Sequence, residues 1–478
     1  MRLVTTMQLI FSLYIITLII AGYLHKLGSQ PLHILMSTLS KKYGEIFSLQ
    51  LGSRFTIILN SKDAIHEALV KKAKVFAGRP DLASFTTTMH GATGISMCDY
   101  TEQYKKNRQM VVKAMHSLYT DKDRFDNLLK HEARKMIQLF EIKATSKEIF
   151  DPGHAFDKIV PSIMVHVMFG KNSPYDDPDV VDLVDVNKRW FQSAGGGSNL
   201  ADFLKFLALF PNERLNAIQE SCMMFYKFAF KKMEEFETDK CEGIYGTIDR
   251  LYREQALNSG RGNEGLNQKD MFEIGRIVND MLGGGFDTLP GTLSWAMLHL
   301  SQSPEVVSKC RKEIEDVVGR EDIVGLEHVK EMPYSMAVVY EIFRVASVAP
   351  LGLPHKTSEE VKIGDLIIPQ DSMVMANLWS INNQPDLWKN AKEFCPDNFL
   401  QEDGSLSLRS TRNLASFSFG VRRCPGEKFT KLQLFILLTN FLRNFDFDVA
   451  KPPQDMEPVG GITIQPKPYQ IQITQHLQ

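Results

Sequence analysis

The chain has 478 residues, 44% apolar and 23% charged, with 55 Lys and Arg against 57 Asp and Glu, for a net charge of −2. That balance excludes a general nucleic-acid binder, which carries a basic excess, and ordinary Gly and Pro contents exclude collagen-like or disordered chains. Six cysteines, none in a CxxC pair, supply neither a zinc ribbon nor a disulfide framework, as befits a reducing compartment. The length admits two or three domains, or one large catalytic domain that encloses a ligand.

Residues 7–24 are uncharged and almost wholly apolar, and a bilayer-spanning helix needs ~17–25 such residues. A cleaved signal peptide is the rival, but Ala21-Gly22 is followed by bulky Tyr23 and Leu24. A buried soluble helix conflicts with all-round apolarity at a terminus. The expectation is an uncleaved membrane anchor over residues 1–26 with a cytosolic body behind it. Arg2, His25 and Lys26 flank both ends, so charge alone orients it weakly.

Residues 45–50 and 55–59 read as a hairpin joined at Gly52-Ser53. Ser61 caps a short helix that runs to Val70. Residues 101–117 form a basic helix whose plain reading is a solvated face. Residues 195–199 and 258–267 are loops. Between 268 and 300, Met271, Ile274, Ile277, Val278, Met281 and Leu282 recur at helical spacing, and the pattern resumes at Leu289. A continuous helix there is ~50 Å long at ~1.5 Å per residue. Gly283-Gly284-Gly285 and Pro290 interrupt it. In a helix interior Gly costs ~1 and Pro ~3 kcal/mol relative to Ala, so a kink or the close approach of something flat is expected. A helix over Pro333–Ala346, strands near 361–368 and 373–378, and an apolar helix over 432–445 complete the chain.

The strongest chemical signal is Phe417-Ser-Phe-Gly-Val-Arg-Arg-Cys424-Pro-Gly426. A thiolate needs positive charge or backbone N–H groups to lower its pKa. Basic residues precede Cys424, Gly426 permits close backbone approach, and the following helix N-terminus favours negative charge. Taken alone, a buried free cysteine is the commoner fate. The whole string, Phe-x-x-Gly-x-Arg-x-Cys-x-Gly, resembles the haem-binding loop of the cytochrome P450 family. The resemblance implies Cys424 as axial ligand of haem b iron.

Further family motifs follow in order. Gly284-Gly285-Phe286-Asp287-Thr288 resembles the oxygen-activation motif, which needs an acid and a hydroxyl to relay protons into an apolar pocket. Thr288 is implied to order the hydrogen bonds at the oxygen site and Asp287 to feed protons. Glu341-Ile-Phe-Arg344 resembles the Glu-x-x-Arg pair, a structural element of the haem-binding core, with i, i+3 charges on one helix face. Its usual third partner, an Arg or His, is replaced by Asn398. Propionate cations are implied at Arg422 and at Arg108 in Tyr104-Lys-Lys-Asn-Arg108, where Tyr104 replaces Trp. His355 matches a third propionate contact. Val278-Asn-Asp280, Gly78-Arg-Pro-Asp81 and Phe150-Asp-Pro152 look most like animal family 1, whereas Leu353-Pro-His355 looks more like families 2 and 17.

The resemblance spans about residue 40 to the C-terminus. It implies a mainly α fold with small β-sheets near the N-terminal side, enclosing one haem behind the anchor and a shortened hinge at 27–39. It implies monooxygenation of a lipophilic substrate (aromatic, steroid-like or fatty) with O2 as co-substrate. Electrons would come from NADPH-cytochrome P450 reductase, with cytochrome b5 as an additional donor, because no dinucleotide fingerprint is present here. Lys105, Lys106 and Lys113 are docking candidates. The implied location is the endoplasmic reticulum membrane with the catalytic domain facing the cytosol. Substrate walls are implied at 85–89, 203–209, 280–285, 348–353 and 462–463. Two other classes are a haem-thiolate isomerase or lyase acting on oxygenated substrates, and a haem-binding protein without catalysis.

Overall fold

A computed structural model describes residues 30–87, 92–194, 199–235, 242–258, 266–319 and 323–476. The anchor expected over 1–26, most of the 195–199 loop and most of the 258–267 loop lie outside these residues. Among the described residues no helix is long and apolar enough to cross a membrane.

The chain enters through helix α1 (Leu32–Tyr43). Its Met36 packs with Phe47 and Ile58, so residues 32–39, expected as hinge, belong to a packed helix. Strands β1 (Ile46–Leu51) and β2 (Arg54–Leu59) form the expected antiparallel hairpin, Ile46 opposite Leu59 and Leu51 opposite Arg54. Ser61 caps α2 (Lys62–His66), its side chain accepting from the Ala64 N–H, and a π-helical turn (Glu67–Lys71) follows. A short α3 (Ala83–Thr86) leads to α4 (Glu102–Thr120), capped by Thr101, and α5 (Lys122–Ser146).

Strand β3 (Ile149–Phe150) precedes α6 (Pro152–Phe169), α7 (Pro178–Ala194), α8 (Glu213–Glu235) and α9 (Ile244–Ala256). The long helix α10 (Gln268–Ser301) begins in a capping box made by Asn267 and Asp270. It runs unbroken through the three glycines and Pro290, so the expected interruption is absent. The physical reason is burial: Phe286, Leu289, Pro290 and Leu293 are all buried, and tertiary packing of a helix outweighs local propensity. Gly285 packs closely on α6: a Cβ there would lie 2.6 Å from Met164 Cε, so the flexible Met164 side chain would have to shift.

Helices α11 (Pro304–Val318) and α12 (Pro333–Ala346) follow. Strands β4 (His355–Lys356), β5 (Val361–Ile363), β6 (Leu366–Ile368) and β7 (Met373–Ala376) come next. Short helices α13 (Leu378–Asn382) and α14 (Leu408–Asn413) precede the buried α15 (Glu427–Asn444). The C-terminal strands are β8 (Phe445–Lys451), β9 (Val459–Gly460), β10 (Ile464–Gln465) and β11 (Gln470–Gln475). One sheet has the order β1-β2-β7-β4, with β2 and β7 parallel, and a second has the order β3-β11-β8. The sheets therefore draw on the middle and C-terminal end of the chain as well as the N-terminal side. The helices share one apolar core, in which Phe140, Phe156, Ile277, Leu298, Ile342 and Leu438 are buried.

Candidate functional site

A cavity of about 380 Å³ lies between α10, the Cys424 loop, the segment 348–355 and the C-terminal turn at Ile462 and Thr463. That volume is in the range of small-molecule sites.

The Cys424 loop is held from several sides. Phe417 packs edge-on against Phe343 of α12, ring centroids 4.9 Å apart. The Cys424 N–H donates to the Phe417 carbonyl at 3.0 Å. Gly420 has φ +70°, and a Cβ there would lie 1.7 Å from the Leu69 carbonyl oxygen, so only Gly fits against the π-helical turn. Cys424 and Gly426 both line the cavity, and Gly426 is the N-cap of α15. Contrary to the expectation of a lowered thiol pKa, burial pushes the Cys424 thiol up, outweighing the Gly426 N–H and Arg108.

Cations gather at the same end. Arg422 donates to the carbonyls of Ala77 and Cys98, both at 2.8 Å, and its guanidinium lies 3.7 Å over the Tyr104 ring. Arg422 Nη1 is buried with no hydrogen-bond partner in the protein. Tyr104 spends its hydroxyl on the Val421 carbonyl at 3.3 Å, so it supports Arg422 through its ring rather than offering a free donor. Arg108 donates to the Arg423 carbonyl, tying α4 to the Cys424 loop.

Arg79, not singled out from the sequence, also lines the cavity. It donates only to carbonyls, those of Ser96, Leu353 and Pro354. Burial and the neighbouring Arg422 lower its pKa to about 9. His355 bonds through Nδ1 to the Phe76 carbonyl at 2.7 Å. Burial, then Arg79, pushes its pKa well down, so the ring is neutral as it stands.

On α10, Thr288 lines the cavity and donates to the Gly284 carbonyl at 2.8 Å. A Cβ on Gly284 would meet nothing within 4 Å, so this position opens onto the cavity. Asp287 lies behind the wall, 5% exposed. It accepts from the Thr463 hydroxyl, and Thr463 itself lines the cavity. Burial raises the Asp287 pKa to about 6.

Glu341 and Arg344 lie outside the cavity and are fully buried, paired through two bonds of 2.6 and 2.7 Å. Arg344 also donates to the carbonyls of Asn382, Ala391 and Glu393, and Glu341 accepts from the Cys395 N–H at 2.7 Å. Asn398 does not join this network: both polar atoms of its amide are buried without a partner in the protein. Backbone groups of 382–395 occupy the place expected for a third side chain.

The substrate walls at 280–285, 348–353 and 462–463 fall on the cavity. Phe85 instead packs with Leu82 and Met97. Residues 205–209 form an outward 3₁₀ turn in which Leu209 is 85% exposed, and 88–89 lie outside the described residues. Trp190 and Phe191 of α7 and Phe225 of α8 supply the aromatic walls.

A buried orphan guanidinium nitrogen, clustered arginines without acid partners, and a thiol facing an open helix wall fit an iron porphyrin with its two propionates. The comparisons agree with this geometry. The Cytochrome P450 family pattern matches residues 16–473. Cytochrome P450 1A1 of Oryctolagus cuniculus is 30% identical over 455 residues, covering 93% of this chain and 87% of the relative. Cytochrome P450 1B1 of Homo sapiens is 30% identical over 458 residues, covering 93% and 84%. Cytochrome P450 1A1 of Homo sapiens is 28% identical over 455 residues, covering 93% and 88%. The chain therefore belongs to the cytochrome P450 family, close to its family 1, and is a haem-thiolate monooxygenase that works with haem b and O2.

Proposed function

We propose that this enzyme oxygenates a lipophilic small molecule held in the cavity beside α10, with Cys424 as the iron ligand. The observation that carries the reading is that Cys424 and Thr288 line the same cavity, whose walls are mainly apolar side chains. Haem held there would supply the activation of O2. Arg422, Arg79 and Arg108 would hold its carboxylates, Tyr104 would brace Arg422, and a carboxylate beside His355 would favour the protonated ring.

The chain's own contribution to the chemistry is proton handling and water exclusion. Thr288 presents a hydroxyl to the cavity, fixed through the Gly284 carbonyl. Asp287 holds a proton at its carboxyl below about pH 6. It passes that proton toward the cavity through the Thr463 hydroxyl, to which it is bonded. Trp190, Phe191 and Phe225 keep the site dry and orient a flat apolar substrate. Glu341 and Arg344 hold the wall behind Phe417 and act on structure alone.

Electrons arrive from NADPH through a flavoprotein reductase. Lys106 and Lys113 of α4 are exposed, whereas Lys105 is engaged by Glu102 at 2.6 Å. The apolar segment 7–24 supports attachment to a membrane, which this reading takes to be the endoplasmic reticulum with the body in the cytosol. The test is reconstitution with NADPH-cytochrome P450 reductase under isotopically labelled O2. One labelled oxygen in the product is expected; product formed without label or without reductase would replace monooxygenation with rearrangement.

A further inference from the structure

The cavity wall is not uniformly apolar. Where α10 enters it, Arg276, Asn279 and Asp280 line the cavity on the same helix as Gly283. Asn279 is only 8% exposed, and its amide nitrogen has no hydrogen-bond partner in the protein. A buried donor left unpaired costs ~1–3 kcal/mol, and Asn is a poorer helix former than the Leu or Met that would otherwise suit an apolar wall. The wall thus carries an amide donor that the protein itself does not use.

The neighbouring charges decide what kind of acceptor fits. Arg276 pairs with Asp280 at 3.0 Å. Asp280 also accepts from the N–H groups of Ile95 and Ser96 and from the Ser96 hydroxyl, at 2.7, 3.1 and 2.8 Å. The pair carries no net charge. A carboxylate brought here would lose its hydration in an apolar cavity with no net cation on this wall to compensate. An uncharged acceptor oxygen meets the Asn279 donor without that penalty.

The helix also sets a length. A rise of ~1.5 Å per residue places Asn279 ~8 Å from Gly284 and ~14 Å from Thr288 along α10. We propose that Asn279 is a specificity-determining residue that binds an uncharged carbonyl oxygen at the end of the substrate remote from the oxidised carbon. This rests on the cavity being the substrate site. It selects rigid fused-ring ketones over the parent hydrocarbons and over acids.

The test is optical titration of the haem-loaded enzyme with 5α-androstan-17-one, 5α-androstane and 5α-androstane-17-carboxylate, for wild type, N279L and N279Q. Wild type binds the ketone roughly tenfold tighter than the hydrocarbon, about 1.4 kcal/mol, and tighter than the carboxylate. N279L loses that preference, and N279Q, which keeps the donor, retains it. Equal affinities in wild type, a preference that survives N279L, or tightest binding of the carboxylate would each overturn the proposal. Haem content, read separately on the same samples, fails only if the cofactor reading is wrong.

Discussion

The carboxylate of Asp287 is bonded to the hydroxyl of Thr463, 176 residues further along the chain. This contact joins a buried acid on the long helix to a residue that faces the cavity. On the proposed reading, it links a carboxyl behind the wall to the site as a proton source.

Asp287 gives the first prediction. Its pKa is raised by burial to about 6, above its ordinary value of 3.8. A raised carboxyl pKa means the fold disfavours the charged form. The resulting loss of stability is absent below the unfolded pKa and complete above about pH 6. D287N is expected to be more stable than wild type at pH 8, by on the order of 2 kcal/mol, and no more stable at pH 4. In turnover, product formed per NADPH falls in wild type as pH rises through about 6, and D287N removes that dependence. Thermal melts across pH 4–8 and product yields across pH 5–8 check both.

Thr288 donates within the helix to Gly284 and faces the cavity. T288A is expected to keep consuming NADPH while product falls ~10²-fold, with hydrogen peroxide rising in its place. Unchanged coupling would remove Thr288 from proton handling.

The Glu341–Arg344 pair is buried, and the Arg344 guanidinium is matched by Glu341 and three backbone carbonyls. Removing one partner leaves an uncompensated buried charge. R344A should lose ~3–5 kcal/mol of stability, and R344K should lose much of that, because a single ammonium cannot replace the fork and its carbonyl bonds. Haem-loaded yield and melting temperature are the readouts.

Arg79 offers only carbonyl-paired donors to the protein and lines the cavity. R79L is expected to speed haem loss to an excess acceptor protein roughly tenfold, since bonds to charged groups contribute ~1.5–3 kcal/mol. Haem retention equal to wild type would take Arg79 out of the propionate site.

The Cys424 loop and the Glu341–Arg344 pair were legible in the sequence, because each is a short local string whose spacing sets its geometry. Arg79 was not. Its role depends on three carbonyls, two of them far along the chain at Leu353 and Pro354. The aromatic walls at Trp190, Phe191 and Phe225 were also missed, since helical periodicity reads the same whether an apolar face meets a core or a cavity. Pro290 misled in the opposite direction. Its propensity cost is local, whereas the burial that keeps α10 continuous comes from neighbours distant in sequence. Asn398 stood at the right place in the motif, yet its amide is unpaired and backbone groups complete the network instead.

The central claim is that Cys424 binds the haem iron as a thiolate. The most direct measurement is the difference spectrum of the reduced, carbon-monoxide-bound protein, taken for wild type and for C424A. A strongly red-shifted Soret band in wild type, absent from C424A, is the predicted result. Haem with an unshifted band in wild type, or a red-shifted band that persists in C424A, would contradict it.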